Sequence, residues 1–204
     1  RSSSQALHTV ILGGEDLKTE VCRELAAQYG KDLNIYNEYG PTEATIGCMI
    51  YRYSREDTGL SVPIGKPIDN VQIYVLDKDR NPLPNNIVGE IYVGGDGVAE
   101  GYHESDFEMR RCFVADTIRG EGTLYKTGDL AFRNSDDNLV YCGRVDRQAK
   151  VRGYRVELGE IEERILLSGF ARQAHVKNIE IHSGTTVLCA YITGMREDDK
   201  LKLK

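Results

Sequence analysis

The segment Asn37–Glu43 (NEYGPTE) brings several side chains with useful chemistry close together along the chain. The Thr42 hydroxyl can hydrogen-bond to a phosphate, and the Glu43 carboxylate is the kind of hard oxygen ligand that Mg²⁺ binds together with phosphate oxygens. The Tyr39 ring offers a face on which a base can stack. The spacing alone leaves two interpretations open: a nucleotide-binding loop, or a strand-to-loop turn with solvated side chains.

Asp129 is a second candidate, within Tyr125–Leu130 (YKTGDL). A carboxylate in such a strand-turn setting can accept hydrogen bonds from ribose hydroxyls, as acidic residues do in dinucleotide sites, or it can simply be a turn residue. The glycine-rich segment Gly89–Tyr102 does not lie between a strand and a helix, as a phosphate-binding glycine loop requires. We therefore interpret its glycines as structural.

The third candidate is the basic segment Gly143–Arg155, which contains several arginines and one lysine. Arginine makes bidentate contacts to oxyanions, so this segment can be a phosphate-facing loop. A solvated basic hairpin is the other interpretation.

The elements that must position these residues begin with an α/β pattern. Residues His8–Leu12 are rich in β-branched residues and predict a buried strand, followed by a Gly-Gly turn and a helical pattern over Leu17–Tyr29. A further strand is predicted at Asn34–Tyr36. This order suits the end of a Rossmann-like sheet, and the carboxyl end of a parallel strand is where such sheets bind ligands.

From about residue 60 to residue 145 the pattern becomes β-rich. Val71–Leu76 alternates with period two, and Gly89–Gly94 predicts a second strand, so we expect a distorted barrel. Apolar positions at helical spacing then predict an amphipathic helix over Glu157–Leu166. Two strands follow, near 173–182 and 186–193, and together these elements predict a small, truncated α+β domain.

Composition narrows the class of protein. The chain has 204 residues, a net charge of −6 and 40% hydrophobic residues, which is ordinary for a globular protein and argues against nucleic acid as the main partner. No apolar run reaches the ~18–20 residues of a membrane span. The five cysteines are scattered, without CxxC spacing, so we expect reduced thiols and a cytoplasmic location.

Taken in order, four segments resemble core motifs of the adenylation domains of nonribosomal peptide synthetases, within the adenylate-forming superfamily. They are NEYGPTE at 37–43, GEIYVGGDGVAEGY at 89–102, YKTGDL at 125–130 and GRVDRQAKVRGYRVELGEIE at 143–162. Glu100 departs from the family pattern, which usually has an arginine there. The resemblance implies that residues 1–145 are the later part of the large adenylation core and that residues 146–204 begin the small carboxyl-terminal subdomain.

The resemblance also implies roles for individual residues. For the nucleotide these are adenine contacts from Asn37 and Tyr39, α-phosphate and Mg²⁺ contacts from Thr42 and Glu43, ribose contacts from Asp129, and further contacts from Tyr141 and Arg144. Asp146 is implied as the hinge of the small subdomain, and Lys150, Gly153 and Arg155 are implied to face the active site in the thioester-forming state. Residues implied to line the amino-acid pocket are Val10, Leu12, Glu38, Ile46 and Gly47.

The implied reaction uses ATP and Mg²⁺ to convert an amino acid to aminoacyl-AMP and pyrophosphate. The aminoacyl group then passes to the phosphopantetheine thiol of a peptidyl carrier protein, and a condensation domain or a small accessory protein is a further possible partner. The family's phosphate loop and its catalytic lysine are missing from these 204 residues, so we expect the chain to be a fragment with little activity alone. Two alternatives remain: another adenylate-forming ligase (a D-alanine–carrier-protein ligase or an acyl-CoA synthetase), or a non-catalytic binding module.

Overall fold

The structure, a computed structural model, describes residues 7–103, 111–145, 148–151, 154–169, 171–181 and 185–194. The chain divides into two compact units, Arg1–Val145 and Asp146–Lys204. The predicted fold class is confirmed, because a mixed α/β part is followed by a β-rich part and then by a small α+β part. None of the helices within the described ranges is long and apolar enough to cross a membrane.

Strands dominate the first unit. Its described elements are β1 (Thr9–Gly13), α1 (Thr19–Tyr29), β2 (Asn34–Tyr39), a 3₁₀ turn (Thr42–Ala44), β3 (Met49–Arg52), β4 (Lys66–Pro67), β5 (Val71–Leu76), β6 (Gly89–Gly95), β7 (Phe113–Ala115), β8 (Thr123–Arg133) and β9 (Leu139–Arg144).

The first sheet has the order β1-β2-β3-β4. β1 and β2 are parallel and are joined through α1, whereas β3 and β4 add to the sheet in antiparallel fashion. Beside α1, the residues Leu17, Cys22, Ile35 and Val62 form a buried cluster. The helix is followed by Gly30, which caps its carboxyl end and whose φ of 98° suits a residue without a Cβ.

The second sheet is antiparallel and is built around β8. One edge of β8 pairs with β6, which in turn pairs with β5. The other edge is shared, because β7 pairs with residues 123–125 and β9 pairs with residues 129–133. A single buried cluster contains Tyr39 and Met49 from the first sheet and Ile91 and Leu139 from the second. This shared core fixes the end of β2 relative to β8.

The second unit contains a hairpin, a helix and a second hairpin. Its elements are β10 (Gln148–Val151), β11 (Tyr154–Glu157), α2 (Leu158–Leu167), β12 (Gln173–Ile181) and β13 (Thr185–Thr193). Ala149, Leu158 and Val176 form its buried cluster, with one residue from each of three elements. Part of the basic segment therefore lies in the antiparallel pair of β10 and β11, whose residues Ala149, Val151 and Val156 pack in or against this core.

Candidate functional site

The NEYGPTE segment lies partly inside a strand rather than after one. Asn37, Glu38 and Tyr39 are the last three residues of β2, because Asn37 and Glu38 pair with both β1 and β3 and Tyr39 still pairs with β3. Along β2 the buried positions alternate, so Asn37 and Tyr39 point into the protein and Glu38 points to the opposite face. The sequence-based prediction had ended this strand at Tyr36.

Asn37 has a fixed amide orientation. The side chain is only 2% exposed, and its Nδ2 donates to the carbonyl oxygens of Val62, at 3.1 Å, and Pro63, at 2.9 Å. Carbonyl oxygens can only accept, so the amide nitrogen must face them. The Oδ1 atom is thereby directed away from these carbonyls and can accept from an amine such as the exocyclic amine of adenine.

Tyr39 reaches across to the second sheet. Its hydroxyl donates to Asp129 Oδ2 at 2.6 Å, although the two residues are 90 positions apart. Burial, and then the negative charge of Asp129, raise the pKa of Tyr39 well above its ordinary value. The phenol therefore remains a proton donor to this carboxylate.

Asp129 is presented by a bulge in β8. The β6–β8 register shifts between Glu90 and Tyr92, so that Thr127, Gly128 and Asp129 lie opposite Ile91 alone. Thr127 Oγ1 donates to the Ile91 carbonyl oxygen at 2.8 Å and accepts from the Asp129 backbone N–H at 3.0 Å. Bulges of this kind re-aim a side chain, and here the bulge directs Asp129 toward Tyr39.

Two further hydrogen bonds hold the same bulge, one on each edge of β8. Gly128 adopts a φ of 74°, and its N–H donates to Glu90 Oε1 at 3.1 Å. On the other edge, the Val145 N–H donates to the Gly128 carbonyl oxygen at 2.8 Å. Glu90 and Thr127 lie within two of the quoted motifs but were given no role from the sequence, because their contacts depend on the pairing of β6 with β8.

Arg144 completes the group around Asp129. Its Nη1 lies 2.7 Å from Asp129 Oδ1, and both side chains are largely buried. One oxygen of the Asp129 carboxylate therefore accepts a hydrogen bond from Tyr39, and the other accepts one from Arg144. Tyr141, on the same strand as Arg144, is half-buried and packs against the shared core. The structure thus brings together Tyr39, Asp129 and Arg144 from three distant segments.

The Thr42–Ala44 turn forms the other half of the candidate site. Thr42 is exposed, whereas Glu43 is only 7% exposed. The Tyr102 hydroxyl donates to Glu43 Oε1, and burial, followed by this bond, raises the pKa of Tyr102. Tyr102 was missed by the sequence reasoning, because it lies 59 residues from Glu43 and is the last residue of a glycine-rich segment interpreted as structural.

The loop after this turn is held in an uncommon backbone conformation. Thr45 and Ile46 both have positive φ values, 59° and 69°, although neither is a glycine. Gly40 permits this arrangement, since a Cβ at Gly40 would lie 1.3 Å from the Ile46 carbonyl oxygen. Thr45 Oγ1 also donates to the Gly97 carbonyl oxygen at 2.6 Å.

The five residues predicted to line an amino-acid pocket divide into two groups. Glu38 lies against Gly47, where an added Cβ would be 2.4 Å from Glu38 Oε1, and Ile46 precedes Gly47 with 68% of its surface exposed. Val10 and Leu12 instead pack against the buried cluster beside α1. The structure brings the first three together and places the other two on the α1 side of the sheet.

Two of the predicted residues lie outside the described residues, and two are described only by their backbones. Asp146 and Gly153 lie outside the described residues. Lys150 and Arg155 pair with one another in the β10–β11 hairpin, but only their backbones are described. Their implied roles stay predictions.

The residues present fit a nucleotide bound with one Mg²⁺. Among the described residues, no group of three or more His, Cys, Asp or Glu side chains could hold a metal ion alone. Mg²⁺ bound to nucleotides commonly uses one or two carboxylates together with phosphate oxygens, so a single buried glutamate beside an exposed threonine hydroxyl is a suitable protein contribution.

The chain is similar to known proteins over its whole length. A family model described as AMP-binding enzyme matches residues 1–103. Bacitracin synthase 3 of Bacillus licheniformis is 42% identical over 204 residues, which is 100% of this chain and 3% of that protein. Tyrocidine synthase 3 of Brevibacillus parabrevis is 42% identical over 195 residues, which is 95% of this chain and 3% of that protein.

A solved structure is similar over almost the same range. It is holo-PA1221, an NRPS protein containing adenylation and PCP domains, with a TM-score of 0.89 and 28% identity, and the match covers 98% of this chain and 35% of that one. The chain therefore spans a small part of its curated relatives and about a third of this solved protein.

Proposed function

Because the chain belongs to the AMP-binding enzyme family, we propose that it is part of an enzyme that adenylates an amino acid with ATP and releases pyrophosphate. The observation that carries the proposal is the group formed by Tyr39, Asp129 and Arg144, with Asn37 on the same face of β2 as Tyr39. Three of the four motifs that resemble those of adenylation domains contribute a residue to this group. The relatives named bacitracin synthase 3 and tyrocidine synthase 3, and the solved NRPS protein with adenylation and PCP domains, support an amino acid as the acyl substrate.

The nucleoside end of the proposed site is built around the side chains of Asn37, Tyr39 and Asp129. Asn37 Oδ1 accepts from the adenine amine, and the Tyr39 ring lies beside the base. An ionised carboxylate has about four acceptor positions. Tyr39 and Arg144 occupy one position on each oxygen of Asp129, so the remaining positions can accept the two ribose hydroxyls. Tyr141 lines the same site.

The phosphate end is supplied by Thr42 and Glu43. The Thr42 hydroxyl donates to the α-phosphate, and Glu43 holds the metal ion. When bound, Mg²⁺ neutralises phosphate charge and polarises the phosphoryl oxygens. Attack by a carboxylate on the α-phosphate requires alignment and charge stabilisation more than covalent help, which suits a site that positions its substrates rigidly.

The amino-acid end lies at Glu38, Ile46 and Gly47. The absence of a side chain at Gly47 gives the Glu38 carboxylate the room it occupies. Val10 and Leu12 support this wall from the α1 side of the sheet.

The second half of the proposed reaction is transfer to a carrier-protein phosphopantetheine thiol. The solved relative contains adenylation and PCP domains in one protein, which supports a carrier protein as partner. We propose Asp146 as the hinge for this step, with Lys150 and Arg155 on the hairpin that it turns. We also propose a cytoplasmic location, on the scattered spacing of the five cysteines.

The test is amino-acid-dependent exchange of pyrophosphate into ATP by the full-length protein, across a panel of amino acids and other carboxylic acids. Exchange with one amino acid supports the proposal and identifies the substrate. Exchange only with fatty or aryl acids would assign the protein to another branch of adenylate-forming ligases. If the protein is folded but shows no exchange with any acid, a non-catalytic binding module is the favoured interpretation.

A further inference from the structure

We propose that Tyr102 is a positioning residue that orients the Glu43 carboxylate toward the divalent cation bound with ATP. The inference rests on the proposed function, because it assumes that Glu43 contributes to a nucleotide-bound metal site. It assigns a specific role to the segment Gly97–Tyr102, which the sequence reasoning treated as structural only.

The contact itself is direct. The Tyr102 hydroxyl donates to Glu43 Oε1, and Glu43 is almost fully buried. A glutamate side chain has three rotatable bonds, whereas Mg²⁺ requires nearly ideal octahedral geometry. A hydrogen bond to one carboxylate oxygen fixes the direction of the other, as partners of metal-ligating carboxylates do elsewhere.

The hydroxyl is aimed by a row of aromatic rings. The Tyr102 ring meets Phe113 edge to face, with centroids 5.4 Å apart and an interplanar angle of 77°. Phe113 in turn packs against Tyr125, with centroids 5.2 Å apart. Phe113 and Tyr125 are paired residues of β7 and β8, so the row is anchored in the second sheet.

Two other contacts already hold the backbone of the loop. The Ala99 N–H donates to the Glu43 carbonyl oxygen at 2.8 Å, and Thr45 Oγ1 donates to the Gly97 carbonyl oxygen at 2.6 Å. Neither contact involves the Glu43 carboxylate. The Tyr102 bond is therefore the one contact among these three that acts on the functional side chain.

The experiment compares Tyr102→Phe with Tyr51→Phe in the full-length protein. Tyr51 is a matched control, because its hydroxyl also donates to a carboxylate, Asp57 Oδ1 at 2.8 Å, outside the candidate site. Binding of Mn²⁺, used as a spectroscopic probe for Mg²⁺, is measured by electron paramagnetic resonance with a non-hydrolysable ATP analogue present. Adenosine affinity without metal and the thermal midpoint are measured alongside.

We expect Tyr102→Phe to weaken Mn²⁺ binding by about tenfold, the loss that one hydrogen bond to a charged group produces. Adenosine affinity and the thermal midpoint should match those of Tyr51→Phe, and saturating Mg²⁺ should restore the exchange rate. Unchanged Mn²⁺ affinity would overturn the inference, as would an equal loss of adenosine affinity, which indicates a structural role. If the unsubstituted protein binds no Mn²⁺ with the analogue, the proposed function fails as well.

Discussion

The hydrogen bond from Tyr39 to Asp129 joins the two sheets of the first unit. Tyr39 is the last residue of β2, and Asp129 lies on the bulge of β8, yet the donor and acceptor oxygens are 2.6 Å apart. Both side chains are buried beside the shared core. The candidate nucleotide site therefore depends on the packing of one sheet against the other.

Asp129→Asn should reduce recognition of the ribose hydroxyls. An amide is a weaker acceptor than a carboxylate, so the loss of two charge-assisted bonds should lower ATP affinity by about a hundredfold. Affinity for the 2′,3′-dideoxy analogue should fall much less. The measurement is calorimetric titration of the full-length protein with both nucleotides.

Asp116→Asn is the matched control for this substitution. Asp116 is another buried carboxylate, which accepts from the backbone N–H groups of Ile118 and Arg119 rather than from the candidate site. It should leave the discrimination between the two nucleotides unchanged. An equal effect of both substitutions would show that Asp129 does not contact the ribose.

Arg144→Met should destabilise the protein, because it leaves the buried Asp129 carboxylate without its cationic partner. Breaking a buried pair in this way typically costs about 3–5 kcal/mol. Adding Asp129→Asn removes the remaining charge and should recover part of the loss. Thermal unfolding of the two single variants and the double variant measures this coupling, and simple additivity would contradict it.

Gly40→Ala and Gly159→Ala should have opposite effects on stability. A Cβ at Gly40 would lie 1.3 Å from the Ile46 carbonyl oxygen, whereas a Cβ at Gly159, in α2, meets no atom within 4 Å. The first substitution must displace the loop that carries Glu43, while the second should be neutral or stabilising because alanine favours helices. Thermal midpoints test the pair, and a tolerated Gly40→Ala would mean that the loop adopts another conformation.

Thiol labelling should distinguish buried from exposed cysteines. Burial raises the pKa of Cys22 to about 11 and that of Cys48 to about 12, so neither forms much thiolate at pH 8. Cys142 is exposed, and although its pKa is also raised, a reagent can reach it. Iodoacetamide followed by peptide mass spectrometry should find Cys142 labelled first, with Cys22 and Cys48 labelled only after unfolding.

Much of the fold was readable from local patterns. Val71–Leu76 alternates apolar and polar residues, and the strand has those same limits in the structure. The predicted helix over Leu17–Tyr29 begins two residues later, at Thr19, and ends at the same residue. Such patterns indicate which face of an element is buried. These two elements could therefore be predicted from the sequence, because each one buries its apolar face.

The geometry of the site was less readable, because it depends on contacts between distant segments. Tyr102 and Glu43 are separated by 59 residues, and no local pattern signals their contact. The bulge at Thr127–Asp129 likewise results from pairing with β6. The resemblance placed Val10 and Leu12 in one pocket with Glu38. In the structure Leu12 is paired with Asn37. Because successive residues of β2 face opposite sides of the sheet, Glu38 lies on the other face from Asn37.

Ile46→Asn should stabilise the protein while changing its amino-acid selectivity. Ile46 is a β-branched residue held at a φ of 69°, a conformation that costs about 1–3 kcal/mol. Because the side chain is 68% exposed, its packing offsets little of this cost. Asparagine tolerates this region of backbone space, and we expect a gain of about 1 kcal/mol in thermal unfolding. Ile50→Asn is the control, because Ile50 lies in the extended strand β3 and offers no strain to relieve. If Ile46 lines the amino-acid pocket, its replacement should also alter the ranking of amino acids in pyrophosphate exchange. If the variant is stabilised but the ranking of amino acids is unchanged, Ile46 does not line the pocket. Substrate binding would then not explain the strained backbone at Ile46.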